Sequence, residues 1–169
     1  MGIDWIFWLI WIVALLLVLS FGAVLLIGAP YMPTLKKSCT QALDLLDLKP
    51  GQTLYELGSG DGVMLKLAAQ RGLKVVGYEL NPFLVFISRF RTIRYRRQVK
   101  IRCWNFWGAD LSKADGVFVF LLDRFMPRLD AKIQKEKPIK GLKLVSHAFK
   151  IPSKKPAAKA GALFLYLYR

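Results

Sequence analysis

Apolar residues run without a charge from Trp5 to Ala29, 25 positions rich in Leu, Ile, Val, Phe and Trp. About 20 apolar residues in a helix span the hydrocarbon core of a bilayer, so this run predicts one N-terminal transmembrane helix with some tilt. A cleaved signal peptide fits less well: no positive residue precedes the run, the run is too long, and no small-residue cleavage site leads into a polar start. Trp5, Trp8 and Trp11 cluster near one end, either as interfacial aromatics or as one stripe facing lipid or a partner. Pro30-Tyr31-Met32-Pro33-Thr34 then ends the helix and imposes a short, stiff, extended path. Leu35, Cys39, Ala42, Leu43 and Leu46 recur at helical spacing, which predicts a helix capped by Thr34 or Ser38 and running to about Leu48. From Thr53 onward short apolar runs alternate with helical ones. Strands are predicted at Thr53-Leu54-Tyr55 leading into Glu56, and at Lys74–Glu79, Val99–Cys103, Asp115–Leu122, Leu142–Phe149 and Ala162–Tyr168. Helices are predicted over 63–71 and from Asn81-Pro82, the latter with Phe83, Phe86, Ile87, Phe90 and Ile93 on one stripe. The whole reads as an anchor over 1–29, a proline-containing linker and helix over 30–52, and over 53–169 an α/β domain built on a Rossmann-like sheet of about six strands.

Charge refines this picture. The net charge is +15, from 26 basic and 11 acidic side chains. The first thirty residues hold only Asp4, so residues 31–169 carry 26 basic against 10 acidic groups, or +16. Such a surface favours polyanions, and composition alone does not choose between nucleic acid and anionic lipid headgroups. Arg89, Arg91, Arg94, Arg96, Arg97 and Lys100 gather on and after the Asn81-Pro82 helix. They read as the solvated face of a helix packed on the sheet, a face that next to a membrane also suits anionic headgroups. The chain shows no recognised nucleic-acid module, so nucleic acid is not the expected partner. Lys36 and Lys37 follow the apolar run and nothing positive precedes it, which places the C-terminal domain of a single-pass membrane protein on the cytoplasmic side. Lys150–Gly161, rich in Lys, Pro and Ala, reads as a mobile basic loop. Cys39 and Cys103 form no metal or redox pattern, so free thiols in a reducing compartment are expected and no metal.

The chemistry centres on Thr53-Leu54-Tyr55-Glu56-Leu57-Gly58-Ser59-Gly60-Asp61-Gly62. A strand runs into three glycines at alternate positions and then into a helix. Such a turn lets a ligand approach the main chain, and the next helix offers unpaired N–H groups to a nucleotide-like molecule. The dinucleotide fingerprint needs G-x-G-x-x-G, whereas this turn is G-x-G-x-G with an acid two residues before the first glycine, which argues against NAD. It looks like motif I of the class I methyltransferases that use S-adenosyl-L-methionine, (Asp/Glu)-x-Gly-x-Gly-x-Gly. Glu79 ends the second strand 17 residues after Gly62, where a βαβ unit presents a carboxylate to ribose hydroxyls. His147, the sole histidine, is read as structural.

With the whole chain in view the resemblance narrows. Pro30-Tyr31-Met32-Pro33-Thr34 after an apolar anchor, the turn Tyr55–Gly62, Gly77-Tyr78-Glu79-Leu80-Asn81-Pro82-Phe83-Leu84-Val85 and Ser88-Arg89-Phe90-Arg91 resemble the small membrane-anchored lysine methyltransferases that modify mitochondrial ATP synthase and the adenine nucleotide translocase. The resemblance runs from about Pro30 to Pro152. It implies S-adenosyl-L-methionine as cofactor, with Glu56, Gly58, Ser59, Gly60 and Asp61 along its methionine side. Glu79 then holds the ribose, Asn81 belongs to the same cofactor-binding set, and Asn105 with Phe106 lies near adenine. Asn105 stands where the family has aspartate. It implies a lysine-bearing membrane protein as substrate, and the candidate acceptor-side residues are Tyr31 in the linker and Asp123 at the end of the fourth strand. Two other readings remain: methylation of a lipid headgroup or small amphiphile, and a non-catalytic, membrane-anchored basic binding module.

Overall fold

The computed structural model describes the backbone of residues 4–27, 32–136 and 141–168. In chain order the elements are helix α1 (Asp4–Ile27), helix α2 (Lys36–Leu46), strand β1 (Thr53–Leu57), helix α3 (Val63–Gln70), strand β2 (Lys74–Glu79), helix α4 (Pro82–Arg91), strands β3 (Val99–Cys103) and β4 (Gly116–Val119), helix α5 (Met126–Glu136), and strands β5 (Leu142–His147), β6 (Ala158–Ala160) and β7 (Leu163–Tyr168). The strands form one sheet in the order β3-β2-β1-β4-β5-β7-β6, parallel through β5 and antiparallel at β7 and β6. After β1 the chain steps outward through β2 and β3, then returns to the other side of β1 as β4. That reversal opens a crevice at the C-terminal ends of β1 and β4, the place where open α/β sheets bind ligands.

Two apolar layers cover the sheet. On one face α2 and α3 bury Cys39, Leu43, Leu46, Leu65 and Ala68 against Leu54, Val75, Phe118 and Val145. On the other, Met126, Leu129 and Ile133 of α5 pack with Val117, Val119, Leu144 and Tyr166. Strand β4 serves both layers because side chains alternate along a strand, Val117 and Val119 to one side and Phe118 to the other. Helix α2 is thus part of the core rather than a spacer before it.

Several expectations are corrected. The sheet has seven strands, not about six. The additional strand, β6, lies inside the segment 150–161 that reads in sequence as a loop: Ala-Lys-Ala has no strand-favouring side chain, and pairing with β7 makes it a strand. The fourth strand is shorter than expected, ending at Val119. Helix α2 begins at Lys36 behind Leu35, with no side-chain cap from Thr34 or Ser38, and ends at Leu46, after which Asp47 turns left-handed at φ 40°. Helix α4 is rotated relative to its sequence pattern: it buries Leu84, Val85 and Ser88, and Phe83, Phe86 and Phe90 face outward. The cause is its contact with the glycine turn. A Cβ on Gly62, itself at φ +81°, would lie 2.3 Å from Ser88 Oγ, and Arg91 pairs with Asp61 at 2.6 Å. Only a small side chain fits against Gly62, and the aromatics are turned away.

Helix α1 is 24 residues long, and its described side chains, from Trp5 through Leu19, are exposed. Its side chains are described without a break only over 5–16. Among the described residues no helix is long and apolar enough to cross a membrane, so the expected span rests on the sequence.

Candidate active site

The turn after β1 is braced from below by β2. The N–H groups of Gly58 and Ser59 both donate to the Tyr78 carbonyl, at 2.9 and 2.8 Å, and Gly62 N–H donates to Ser59 O at 3.0 Å. Gly58 sits at φ +91° and faces open space where a Cβ would be, which leaves its main chain accessible. The Glu79 carboxylate locks turn and strand together. Its Oε2 accepts from Gly60 N–H at 2.8 Å, and its Oε1 accepts from the N–H groups of Leu80 and Asn81 at 2.8 and 2.9 Å. A carboxylate offers about four acceptor positions, so about one is left for a ligand.

Glu56, on β1, is the group without a match. It is buried, and its Oε2 has no hydrogen-bond partner. Burial first, then the neighbouring charges of Asp61 and Glu79, push its carboxyl well above the usual carboxylate range. Ser59 Oγ and Asn81 Nδ2 are likewise buried without partners. The three residues line one cavity at the strand ends, walled also by Leu57, Gly58, Gly60, Asp61 and Tyr78. Buried polar atoms left unpaired cost stability, and a cavity holding three of them beside two carboxylates has the chemistry of a site for a cationic, hydrogen-bonding ligand.

The other half of the cavity is apolar. Phe120, Leu121 and Leu122 follow β4, Phe149 follows β5, and Met32, Pro33 and Thr34 close it from the linker. His147, at the end of β5, sets its ring edge-on to Phe120 at 4.5 Å, and burial lowers its pKa. Cys39 also reaches the wall. Burial, then the charges of Glu56 and Asp61, push its thiol up to about 12, so it is an inert neutral group there.

Of the residues expected at the site, Glu56, Gly58, Ser59, Gly60, Asp61, Glu79, Asn81 and Phe106 all border this cavity. Asn81 also has a structural part: its Oδ1 caps α4, accepting from Phe83 and Leu84 N–H, and its Nδ2 is buried without a partner. Two residues depart from expectation. Asn105 does not line the cavity, and its Oδ1 accepts from Trp107 N–H at 3.1 Å, so the carbonyl expected near adenine is committed to the turn. Asp123 is exposed, outside the cavity, and its Oδ1 accepts from the N–H of the next residue, Arg124, at 2.7 Å. Because β4 ends at Val119, the chain has already turned away by position 123. Tyr31 lies outside the described residues. Sequence reasoning missed Trp104, Leu80, Phe120 and Phe149.

The strand order 3-2-1-4-5-7-6, with a glycine turn after β1 and an acid ending β2, is that of the class I methyltransferases. A solved RNA methyltransferase from Salinibacter ruber, in complex with S-adenosyl-L-homocysteine, superposes with a TM-score of 0.71 at 27% identity, over 81% of this chain and 92% of its own. Within that class, the ANTKMT methyltransferase domain matches residues 56–158, and the chain belongs to that family. The mouse adenine nucleotide translocase lysine N-methyltransferase is 35% identical over 153 residues, 88% of this chain and 66% of the relative. A lysine N-methyltransferase of ATP synthase from Xenopus laevis is 35% identical over 109 residues, covering 63% and 48%. A protein-lysine N-methyltransferase of Saccharolobus islandicus is 32% identical over 127 residues, covering 72% and 78%. The chain thus spans between about half and two-thirds of the length of the two animal relatives.

Proposed function

We propose that the chain is an S-adenosyl-L-methionine-dependent protein lysine N-methyltransferase, acting on a membrane protein at the cytoplasmic face of the bilayer that holds it. The observation carrying this reading is the unpartnered, buried Glu56 in the cavity beside Glu79. The residues fit the cofactor. Its ammonium and sulfonium supply the positive charge the Glu56 end lacks, the remaining acceptor position of Glu79 takes a ribose hydroxyl, and Trp104 and Phe106 offer apolar surface to the base.

The bound cofactor supplies a methyl group already activated on a sulfonium, so the chain's task is alignment and exclusion of water. Met32, Phe120, Leu122 and Phe149 line the acceptor half and provide a poorly solvated entry. A lysine ammonium entering such surroundings is disfavoured relative to the neutral amine, which is the form that reacts.

Helix α1 is proposed as the anchor. The support is the sequence: the uncharged run from Trp5 to Ala29 is 25 residues long, against the about 20 apolar residues that span a hydrocarbon core. Lys36 and Lys37, exposed after it, favour the cytoplasmic side for the domain. Alkaline washing of membranes tests the anchor, and release of the chain would overturn it. Calorimetry with S-adenosyl-L-methionine tests the cofactor, and absence of binding would leave a basic binding module. Incubating membranes with methyl-labelled cofactor tests the acceptor: label at lysine in protein is expected, and label in lipid or in RNA would replace the substrate assignment.

A further inference from the structure

Helix α4 carries an apolar line that nothing in the described chain covers. Phe83, Phe86 and Phe90, with Ile93 just beyond, are 46, 70, 74 and 59% exposed. Their spacing of three, four and three residues sets them along one face of a helix. Single apolar residues on a surface are ordinary, whereas four in a row mark an interaction surface.

The rim says what the face meets. Between Glu79 and Asp110 the chain has seven basic residues and no acidic one. Arg91 is matched by Asp61, but Arg94, Arg96 and Arg97 are exposed and take no part in the ion pairs among the described residues, and Arg96 borders the same surface hollow as Phe86, Phe90 and Ile93. Aromatic side chains backed by unmatched arginines suit a helix lying in the headgroup region, rings at the acyl boundary and cations at the phosphates. The line also starts at the site: Leu80, Asn81 and Leu84, at the head of α4, border the cavity, and so do Met32 and Trp104, both more than half exposed.

We propose that the outer face of α4 is a membrane-docking surface, laying Phe83, Phe86, Phe90 and Ile93 into an anionic phospholipid bilayer with Arg94, Arg96 and Arg97 at the phosphates. The proposal rests on the reading of α1 as the anchor and deepens it: the domain lies on the bilayer rather than hanging from it, and the cavity mouth opens at the membrane surface where a membrane protein presents its lysine.

The test uses the full chain with Cys103→Ser, so that buried Cys39 is the one native thiol. A spin label is placed on one introduced cysteine at a time, Leu15→Cys on α1, Phe86→Cys or Phe90→Cys on α4, and Lys135→Cys on α5, in vesicles of phosphatidylcholine with or without phosphatidylglycerol. In anionic vesicles the labels at 86 and 90 are expected to lose access to a water-soluble nickel chelate, and the label at 135 to keep it. Arg94→Gln with Arg97→Gln should reduce the chelate-protected population by roughly fivefold for each charge removed. Full chelate access at 86 and 90 in anionic vesicles would overturn the proposal. Equal protection in neutral vesicles, or spin–spin broadening from a second copy on this face, would do the same. The label at 15 reads the anchor separately and calorimetry on the same sample reads cofactor binding, so a failure of either earlier reading is told apart from a failure of docking.

Discussion

The two halves of the cavity are built on opposite principles. The half made by β1 and β2 is polar and tied down: Tyr78 O holds two N–H groups of the glycine turn, Glu79 holds a third, from Gly60, together with those of Leu80 and Asn81, and Glu56 stands beside them without a counter-charge. The half made by the segments after β4 and β5 presents an apolar wall to the cavity, Phe120, Leu121, Leu122 and Phe149. A ligand of fixed structure is met by prearranged geometry on the first side. Under the proposed function, the reacting amine is met by dryness on the second. Substitutions in the first half should therefore change binding and folding together, and those in the second should change turnover.

Glu79→Ala is the strongest way to break that contrast. It strips the acceptor from Gly60, Leu80 and Asn81 N–H, so urea unfolding should show a loss of about 2–4 kcal/mol, with cofactor binding lost in calorimetry. A stable variant that still binds would mean that the polar half is not what holds the turn. Phe120→Ala should act the other way, lowering single-turnover methyl transfer by about 10²-fold while cofactor affinity stays within about twofold.

Glu56→Gln sharpens the first half. In the folded chain Glu56 keeps its proton to higher pH than in the unfolded chain, so between those two values the native state binds more protons and stability falls as pH rises. The glutamine variant should remove that slope above the ordinary carboxylate range and raise the melting temperature of the ligand-free chain at neutral pH. It should also weaken S-adenosyl-L-methionine binding by about tenfold, having lost the charge that a cation meets. The smallest effect is expected at Asp123→Asn, which touches only a surface turn: stability within about 0.5 kcal/mol and unchanged turnover, with a collapse of turnover returning Asp123 to the site.

What the sequence made legible follows the same division. The first half is written locally, since glycine spacing and an acid at a strand end fix the turn, Glu56 and Glu79 within some 25 residues. The second half depends on where strands stop. The apolar run after Asp115 looks like one long strand with Asp123 at its end, and β4 in fact stops at Val119. Periodicity likewise revealed that Phe83, Phe86 and Phe90 share a face of α4, but it carries no information on which face turns inward. The tertiary contacts of Ser88 with Gly62 and of Arg91 with Asp61 made that choice. Strand β6 had no local signal at all and exists through its partner β7.

That three-residue strand has a further consequence. A sheet ends in two rows of backbone groups that invite another chain to add a strand, and the anchor proposed above would confine copies to a plane and raise their encounter rate. Here one border is β6, too short to template pairing and carrying Lys159, and the other is β3, with exposed Lys100 and Arg102. Short length and like charge at both borders keep neighbouring copies from zipping together.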